Sequence, residues 1–276
     1  MTSEQPVAHV ASVTVTFHPD TDGLLQQLSL LAGQVERRIL VDNGSRLPAA
    51  FVAAVRALGR DVEIIELEEN KGVAAAQNVG IERAREGHAD FVLLLDHDSL
   101  PAPDMVAALR GAYEQLTAQG HRVAALGPRY VDPRHDNPSP FVRTVGLRRR
   151  RCLPGAGRAT TPVDHLISSG CLLPMAVLDR VGGMNEGLFI DYVDIEWCLR
   201  ARHRGYESFG VFAAHMRHSL GDKHIGMLGK KITLHTPARY YYQFRNPLWI
   251  YRQPWTTLNW VVIDACRLAV RFVIYA

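Results

Sequence analysis

The sequence predicts an α/β fold in which a mostly parallel sheet is flanked by helices. Two observations indicate it. Short apolar segments alternate with segments of helical apolar spacing through the first half of the chain, as strand–helix–strand units require. In addition, residues 91–95 form a continuous apolar run that stops abruptly at Asp96, which is typical of a strand buried on both faces.

The elements of the first half follow one another in a regular order. Residues 10–17 are apolar and β-branched, which favours a strand, and residues 22–32 have the apolar spacing of a helix. The same criteria predict the remaining elements: a strand at 38–41, a helix at 48–58, a strand at 61–67, a helix at 73–86, the strand at 91–95 and a helix at 103–117. Later in the chain we expect a strand at 167–173 and a helix at 194–204.

Composition and missing motifs exclude several classes of protein. The 276 residues suffice for one large domain or two small ones, and a net charge of +3 is too small to indicate a nucleic-acid partner. The 4 cysteines form no CxxC pair, which predicts neither a zinc site nor a disulfide framework and is typical of the reducing cytoplasm. Residues 1–8 lack the features of a signal peptide. The absence of G-x-G-x-x-G and P-loop motifs argues against dinucleotide oxidoreductases and P-loop NTPases.

Acidic side chains follow two predicted strands, at the edge where open α/β sheets bind ligands. Asp96 and Asp98 come after the strand at 91–95, and two carboxylates there suit a divalent cation that also holds a diphosphate. Asp42 comes after the second strand, where it can accept a hydrogen bond from the imide N–H of a base. The alternatives are a helix cap at the first position and an ordinary Asn-Gly turn at the second.

A helix N-terminus offers a further candidate binding feature. Asn70-Lys71-Gly72 opens the helix at 73–86, whose free N–H groups and dipole can bind an anion. Asn78 lies further along the same helix. An equally good interpretation is a helix rich in small residues that packs on the sheet.

Eight motifs occur in an order and spacing that resembles a known family. They are VTVTFHPD, ILVDNGS, NKGVAAAQNVGI, LLLDHDS, SSGCLLP, GLFIDYVDIEWCLR, MRHSLGD and KKITLHTPARYYYQFRN. Together they resemble the family 2 glycosyltransferases of the GT-A fold, over roughly residues 10–246, and are most similar to the bacterial rhamnosyltransferases. The resemblance implies an inverting enzyme with a Rossmann-like catalytic domain at 1–235, whose nucleotide-sugar half is about 7–128 and whose acceptor half is about 129–235.

The resemblance also implies ligands and site residues. The donor would be dTDP-L-rhamnose, the acceptor a glycan or lipid-linked glycan of cell-surface polysaccharide synthesis such as O antigen, and the cofactor Mn²⁺ or Mg²⁺. The metal ligands would be Asp98, Asp96 and His218, the last being favoured over His215. The residues that would bind the nucleotide-sugar are Thr16, Phe17, Asp42, Asn43, Gly44, Lys71, Gly72, Asn78, Asp96 (at the ribose) and His97.

Three acids lie close together around the start of the predicted helix at 194–204. A sugar hydroxyl becomes a good nucleophile when its proton is removed, and a positioned carboxylate can remove it as a general base. In the family that this chain resembles, the base begins this helix, which implies Asp194, with Asp191 and Glu196 as weaker candidates. Capping of the helix by these acids is the alternative. Gly170, which permits close approach to the backbone, and Trp197 would contact the acceptor.

Two basic or aromatic segments leave alternatives open. Arg148–Arg151, within a Pro-rich excursion at 130–161, form either a solvated face or a clamp for an anionic acceptor or membrane. Residues 236–276 form an aromatic-rich, helical tail in which Asp264, Arg267 and Arg271 share one helical stripe, which argues against a spanning helix. The tail either lies at the inner membrane surface or docks on the domain or on a second subunit. Because the chain stops on an apolar run, the natural protein could extend further.

Two other functions remain open at this point. The first is a family 2 glycosyltransferase whose donor is a UDP-hexose. The second is a catalytically silent subunit that binds a nucleotide-sugar or a glycan, against which the intact acids after the strands argue. Metal-dependent hydrolysis of a donor would distinguish an enzyme from such a subunit.

Overall fold

A nine-stranded sheet forms the centre of the protein in the computed structural model, which describes residues 8–132, 139–155, 158–218, 224–227, 230–233 and 236–275. The strands of this sheet and of two separate hairpins are, in chain order, β1 (Val10–Thr16), β2 (Arg37–Asp42), β3 (Val62–Glu66), β4 (Phe91–Asp96), β5 (Ser99–Pro101), β6 (Val123–Val131), β7 (Phe141–Val145), β8 (Arg148–Cys152), β9 (Thr160–Val163), β10 (Cys171–Pro174), β11 (Glu207–His218), β12 (His224–Met227) and β13 (Lys230–Thr233).

Helices connect most of these strands. They are α1 (Thr21–Leu31), α2 (Ala49–Ala57), α3 (Val73–Glu86), α4 (Met105–Ala118), α5 (Met175–Val181), α6 (Val193–His203), α7 (Pro237–Ile250) and α8 (Leu258–Tyr275), with a 3-10 turn at Glu186–Leu188. The strand order in the sheet is β3-β2-β1-β4-β10-β6-β11-β5, with β9 paired to β11. The first four strands are parallel, as are β6 and β11, whereas β5, β9 and β10 are antiparallel to their neighbours. The predicted α/β fold with a large, mostly parallel sheet is confirmed.

Helices cover both faces of the sheet, which explains the continuous apolar run in β4. Val92 and Leu94 pack with α3, α5 and α6 on one face, and Leu93 and Leu95 pack with α4 on the other. Burying one such side chain contributes about 1.5–3 kcal/mol. This packing holds the ends of β1, β2 and β4 side by side, since Thr16 pairs with Asp42 and Val15 with Asp96.

Three regions differ from the sequence-based expectations. The strand expected at 167–173 begins only at Cys171, because Gly170 turns the chain with a φ of +79°. β5 has only 3 residues and gives no pattern in the sequence, yet it leads from Asp98 to the end of β11. The excursion at 130–161 contains the β7–β8 hairpin, while its residues 133–138 and 156–157 lie outside the described part of the chain.

The C-terminal residues form the expected helical tail, and α8 docks on the domain. Asp264 is 6% exposed and accepts hydrogen bonds from the hydroxyls of Tyr192 (3.1 Å) and Tyr251 (2.9 Å). Ile250 and Trp260 are buried in the same cluster. Of the two interpretations of the tail, these contacts support docking on the domain. No helix in the described ranges combines the length and the apolar character needed to cross a bilayer.

Candidate functional site

The ends of β4 and β11 meet at three side chains that suit a metal ion. The ligand atoms of Asp96, Asp98 and His218 all lie within 4.8 Å of one another. His218 Nδ1 is 3.2 Å from Asp98 Oδ1, and His218 Nε2 is 3.9 Å from Asp96 Oδ2. The short strand β5 causes this meeting, because it follows Asp98 directly and pairs Ser99 with His218. By contrast, His215 lies exposed on the opposite face of β11.

The donor set of this cluster fits a divalent cation. Oδ1 of Asp98 is buried and, apart from its contact with His218, accepts no hydrogen bond in the described part of the chain. Nδ1 of His218 lies 2.7 Å from Ser99 Oγ, which leaves Nε2 as the nitrogen for a metal. Burial lowers the pKa of His218, but the Asp98 and Asp96 carboxylates outweigh it and raise that pKa overall. Burial also raises the pKa of Asp96.

Buried polar residues that sequence patterns miss hold this cluster in place. Ser169 Oγ lies 2.6 Å from Ser99 Oγ and accepts a hydrogen bond from the Asp96 N–H at 3.0 Å. Gln27, which is fully buried, donates to the carbonyls of Asp96 (2.7 Å) and Ser99 (2.6 Å) and accepts from Thr14 Oγ1 (2.9 Å). Gln27 could have been noticed as a polar residue within the apolar stripe of α1, whereas the two serines carry no signal in the sequence.

A second polar position lies at the ends of β1 and β2. Asp42 is 1% exposed, and its Oδ2 accepts a hydrogen bond from the Ser45 N–H at 2.8 Å. Its Oδ1 and the neighbouring Thr16 Oγ1 are buried and make no hydrogen bond with described residues. Unpaired buried polar atoms cost free energy, so a donor such as a base imide would satisfy this pair, although the residues that now cover it would first have to move aside. Phe17, next to Thr16, is 41% exposed.

The glycine and asparagine after β2 have a structural role that the sequence does not reveal. Gly44 has a φ of +88°, and a Cβ there would lie 2.6 Å from the carbonyl carbon of Glu69. The group that approaches Gly44 closely is therefore the backbone at 69–70. Asn43 accepts from the Lys71 N–H at 2.9 Å and donates to Asn70 Oδ1 at 3.0 Å. These contacts fix the turn that precedes α3.

The N-terminus of α3 packs against a neighbouring loop. Gly72 has a φ of +86°, and a Cβ there would lie 2.6 Å from Phe189. Lys71 is exposed beside it. Asn78 exchanges hydrogen bonds with the backbone of Met184, donating at 2.9 Å and accepting at 2.7 Å. The expectation that Asn78 binds the nucleotide-sugar is not supported, because its amide is already used to hold the loop before α6.

Asp194 lies in the first turn of α6 and has the most perturbed carboxyl group near the cluster. Burial raises its pKa to about 6, against the hydrogen bond from the Ile195 N–H at 2.8 Å. The charges of Asp96 and Asp191 raise the pKa further. A carboxylate with a pKa near neutrality is suited to accept a proton, and one of the charges that raise this pKa belongs to a metal-binding candidate, Asp96. His97, between Asp96 and Asp98, is half-buried.

The two other acids of this segment are engaged in ion pairs. Asp191 receives Arg239 of α7, with Nε–Oδ2 at 3.1 Å and Nη2–Oδ1 at 3.3 Å. Glu196 is 1% exposed and receives Arg200 in the same fork arrangement, at 2.8 and 3.0 Å. Asp191 therefore borders the site with a paired charge. Glu196 instead stabilises α6 from inside the core, and the expectation of a catalytic role for it is not supported.

Neither residue expected at the acceptor is accessible. Trp197 is 1% exposed, and its indole N–H donates to the Gly182 carbonyl at 2.8 Å, so it is a core residue. Gly170 is buried, and a Cβ there would lie 2.5 Å from Pro128 and 3.1 Å from Met216. The groups close to Gly170 and Trp197 belong to the protein itself, and these contacts do not support acceptor binding by either residue. Of the MRHSLGD motif, residues 219–222 lie outside the described residues.

An asparagine of the tail positions the loop that carries Asp191. The amide nitrogen of Asn246, fully buried in α7, lies 2.9 Å from the Leu188 carbonyl and 2.8 Å from those of Ile190 and Asp191. This loop has positive φ values at Phe189, Asp191 and Tyr192, conformations that L residues adopt at a cost. Nothing in the sequence pattern marks Asn246, because its partners are backbone atoms about 55 residues earlier.

Comparison with known proteins adds independent information. The family model described as Glycosyl transferase family 2 matches residues 13–181. The dTDP-rhamnosyl transferase RfbF of Shigella flexneri is 30% identical over 89% of this chain and 81% of its own length. The low-salt glycan biosynthesis hexosyltransferase Agl10 of Haloferax volcanii is 29% identical over 51% of this chain and 47% of its own.

Solved structures share the fold. GalNAc-T7 with UDP, GalNAc and Mn²⁺ superposes with a TM-score of 0.66 over 97% of this chain, at 11% identity. TarS 1-349 of S. aureus in complex with UDP has a TM-score of 0.53 over 77% of this chain, at 17% identity. This chain spans 55% and 61% of those two chains. The likeness confirms the GT-A fold that the motifs implied.

Proposed function

Because this chain belongs to glycosyltransferase family 2 and is thereby a hexosyltransferase, we propose that it transfers L-rhamnose from dTDP-L-rhamnose to a glycan or lipid-linked acceptor, with inversion at the anomeric carbon. The observation that carries the transfer chemistry is the half-buried Asp194, whose pKa is raised by desolvation and by the charge of Asp96, a member of the Asp96–Asp98–His218 cluster. The choice of rhamnose is supported by the relative named dTDP-rhamnosyl transferase, whose similarity extends along most of both chains.

In this proposal the donor binds across the first half of the sheet, within residues 7–128. The buried Oδ1 of Asp42 accepts the imide N–H of the thymine, and Thr16 lies beside it. Asp96 holds the ribose, and the exposed Lys71 lies at the open end of α3, where an anion is favoured. The acceptor binds against residues 129–235.

The metal-binding candidates act on the departing diphosphate. Asp98, His218 and Asp96 would hold Mn²⁺ or Mg²⁺, and such an ion supplies positive charge that stabilises a leaving nucleoside diphosphate. The Mn²⁺ complex of GalNAc-T7, a protein of the same fold, supports the choice of such an ion. Gln27, Ser99 and Ser169 keep the ligands fixed, so little reorganisation is needed when the donor arrives.

Asp194 performs the proton transfer in a single displacement. The acceptor hydroxyl oxygen bonds to the anomeric carbon as the bond from that carbon to the diphosphate oxygen breaks, and the hydroxyl proton passes to the Asp194 carboxylate. The burial that raises the pKa of this carboxyl to about 6 makes it a stronger base than an ordinary aspartate while it is still ionised at pH 7.

The proposed setting is the cytoplasmic side of bacterial cell-surface polysaccharide synthesis, of which O antigen is one example. Exposed apolar side chains on α8, among them Val270 and Phe272 at 60% and Val273 at 79%, support a peripheral contact with the inner membrane surface.

The test is hydrolysis of the donor in the absence of an acceptor. The protein should release dTDP from dTDP-L-rhamnose slowly with Mn²⁺ and not with EDTA, because water can replace the acceptor hydroxyl. A protein that binds dTDP with Mn²⁺ but neither hydrolyses nor transfers the sugar would instead be a silent binding subunit.

A further inference from the structure

A cavity of about 410 Å³ lies beside the candidate site and has no role in the function proposed so far. Its walls come from β6, from the loop before β10 and from the β7–β8 hairpin. The rings of Tyr130 and Phe141 line it, together with Arg149, Arg151 and His165. Its volume and its mixture of aromatic walls with a few polar groups are typical of sites for small molecules.

The four consecutive arginines of β8 divide between the two faces of the hairpin. Side chains alternate along a strand, and Arg149 and Arg151 line the cavity whereas Arg148 and Arg150 do not. All four arginine residues are exposed, so the run is solvated on both sides. On the cavity side it supplies two guanidinium groups, two residues apart, to one open-sided space.

The backbone of the hairpin is anchored along its length, which fixes the strand from which these arginine side chains extend. The Thr144 N–H donates to Asp164 Oδ2 at 2.5 Å, directly across from Arg149 in the hairpin. Phe141 packs edge-on against Phe212, with ring centroids 5.5 Å apart. At the tip, a side-chain amide of α8 donates to the Gly146 carbonyl at 3.2 Å. A preorganised site loses less entropy when a ligand binds.

The cavity carries positive charge that no ion pair neutralises. Within the described part of the chain, the side chains of Arg149 and Arg151 make no hydrogen bond and no ion pair, although the more distant charges of Asp264 and Asp164 act on Arg149. Burial and repulsion from Arg267 lower the pKa of Arg149. Burial, and to a smaller extent the charge of Arg149, lower the pKa of His165 to about 4, so its imidazole is neutral at pH 7. The Nδ1 atom of His165 is buried and has no hydrogen-bond partner among the described residues. These groups suit an anion that also carries hydroxyls.

The cavity adjoins the reacting groups. Leu166 and Ile167 line both the cavity and the small space beside Asp194. Tyr130, another lining residue, packs edge-on against His218, with ring centroids 5.9 Å apart. Asp194 and His218 do not themselves line the cavity, but each is separated from it by a single layer of side chains, Leu166 and Ile167 on one side and Tyr130 on the other.

We propose that this cavity is the acceptor site and that the acceptor carries a phosphate group, as a sugar phosphate does, which Arg149 and Arg151 bind. The proposal rests on the proposed function, because it assumes that a sugar hydroxyl must reach Asp194. The phosphate holds one end of the acceptor at β8, and the sugar lies against Tyr130 and Phe141 with a hydroxyl directed towards α6.

The test compares two double variants that remove the same charge from the same strand, R149Q/R151Q and R148Q/R150Q. Binding of glucose 1-phosphate, methyl glucoside and inorganic phosphate is measured by calorimetry or saturation-transfer NMR, in EDTA so that the metal cluster does not contribute. The parent protein should prefer glucose 1-phosphate to both other probes. R149Q/R151Q should weaken its binding by about tenfold or more, since charge-assisted hydrogen bonds are lost, and R148Q/R150Q by less than about twofold.

Several results would overturn the proposal. One is an equal loss of affinity for glucose 1-phosphate in both double variants. The others are equal affinity of the parent for inorganic phosphate and glucose 1-phosphate, and no preference of the parent for glucose 1-phosphate over methyl glucoside. So would a loss in R149Q/R151Q that affects only binding to phosphatidylglycerol vesicles, because the arginines would then contact a membrane surface. Thermal unfolding midpoints show whether both double variants are folded. If R149Q/R151Q is not folded, the single variants R149Q and R151Q are tested in its place.

The same protein sample separates this proposal from the proposed function. Titration of dTDP with Mn²⁺ reports on the donor site, which shares no residue with the arginine pair. Absence of dTDP binding in the parent would refute the donor assignment while the sugar-phosphate comparison still decides the acceptor site.

Discussion

Asp194 is placed where burial favours catalysis and disfavours folding. D194N keeps the size of the side chain and the oxygen that accepts from the Ile195 N–H, but it cannot take a proton. We expect transfer to fall by about 10²–10⁴, the typical contribution of a general base, with little change in dTDP affinity. Steady-state kinetics and nucleotide titration measure the two effects. Weakened dTDP binding with near-normal turnover would indicate a structural role, and Asp191 would be the next candidate.

The pKa of Asp194 also predicts how pH affects activity and stability. Because the folded-state pKa is raised from 3.8 to about 6, ionisation of this carboxyl opposes folding as pH rises through 6. D194N should therefore be more stable than the parent at pH 7.5, by roughly 1–3 kcal/mol, and the difference should vanish near pH 4. Transfer by the parent should fall as pH drops below about 6. Urea unfolding at both pH values checks the first expectation, and equal stability differences at the two would contradict it.

Replacement of one carboxylate oxygen of Asp98 tests whether the cluster binds a metal ion. D98N replaces a charged ligand by a neutral one, so metal-dependent binding of dTDP should weaken strongly and transfer should be lost. H215N is the matched control, since that histidine lies on the exposed face of the strand that carries His218. Transfer by D98N at the parent rate, or equal losses in D98N and H215N, would refute the metal site.

The strand-end acids could be predicted from sequence because their position depends on local pattern alone. An apolar run that ends in Asp96 indicates both the strand and the edge of the sheet at which the acid lies. The roles of Glu196, Trp197 and Asn78 could not be predicted in the same way. Each depends on a partner brought near by tertiary folding, namely Arg200, the Gly182 carbonyl and the backbone of Met184.

At the scale of elements, the alternation of strands and helices was predicted through α4, and the second half was predicted less well. Long buried strands and amphipathic helices carry a periodic signal. β5 has 3 residues, too few for a period to be recognised, and the strand expected at 167–173 is reduced to the 4 residues of β10; both are antiparallel additions. β5 nevertheless joins Asp98 to His218, so the completeness of the metal cluster depends on the element with the weakest signal.

The loop between the 3-10 turn and α6 depends on α7 for its shape. N246A would leave three buried backbone carbonyls without their shared donor, which should lower the free energy of unfolding by about 1–3 kcal/mol. Transfer should fall as well, because the loop carries Asp191 and leads into Asp194. N259A is the control, since it removes one exposed hydrogen bond of α8 to the hairpin. If N246A were as stable as N259A in chemical unfolding, the positioning role of Asn246 would be wrong.

At the scale of the whole molecule, one edge of the sheet combines the proposed donor side with the cavity proposed for the acceptor. The ends of β1, β2 and β4 form the proposed donor side, and β6, β10 and β11 bring the candidate metal ligand His218 and the cavity from the other half. The tail completes this edge through the Arg239–Asp191 pair and Asn246. Its two helices are therefore part of the active fold as well as a surface that could meet a membrane.

The identity of the donor is the prediction that involves this whole edge. Thymine differs from uracil by one methyl group, whose burial contributes about 0.8 kcal/mol, or about fourfold in affinity. The sugar should discriminate more strongly, because L-rhamnose carries a methyl group where glucose has a hydroxymethyl. Trp197 is buried in the core, so we expect the half-buried Phe189 to form the apolar wall for that methyl group. The Phe189 ring stacks on the ring of Tyr242, with centroids 4.9 Å apart, close in sequence to Asp191.

Three donors separate the contribution of the base from that of the sugar. Values of kcat/KM for dTDP-L-rhamnose should exceed those for dTDP-glucose by at least about tenfold, because an apolar wall leaves the hydroxymethyl oxygen unpaired. UDP-glucose and dTDP-glucose should differ by about fourfold or less. F189A should reduce the preference for rhamnose, while L258A, which truncates a side chain that is 78% exposed on α8, should not. Turnover of UDP-glucose as fast as dTDP-L-rhamnose would remove the rhamnosyl assignment, and membership of glycosyltransferase family 2 would be unaffected.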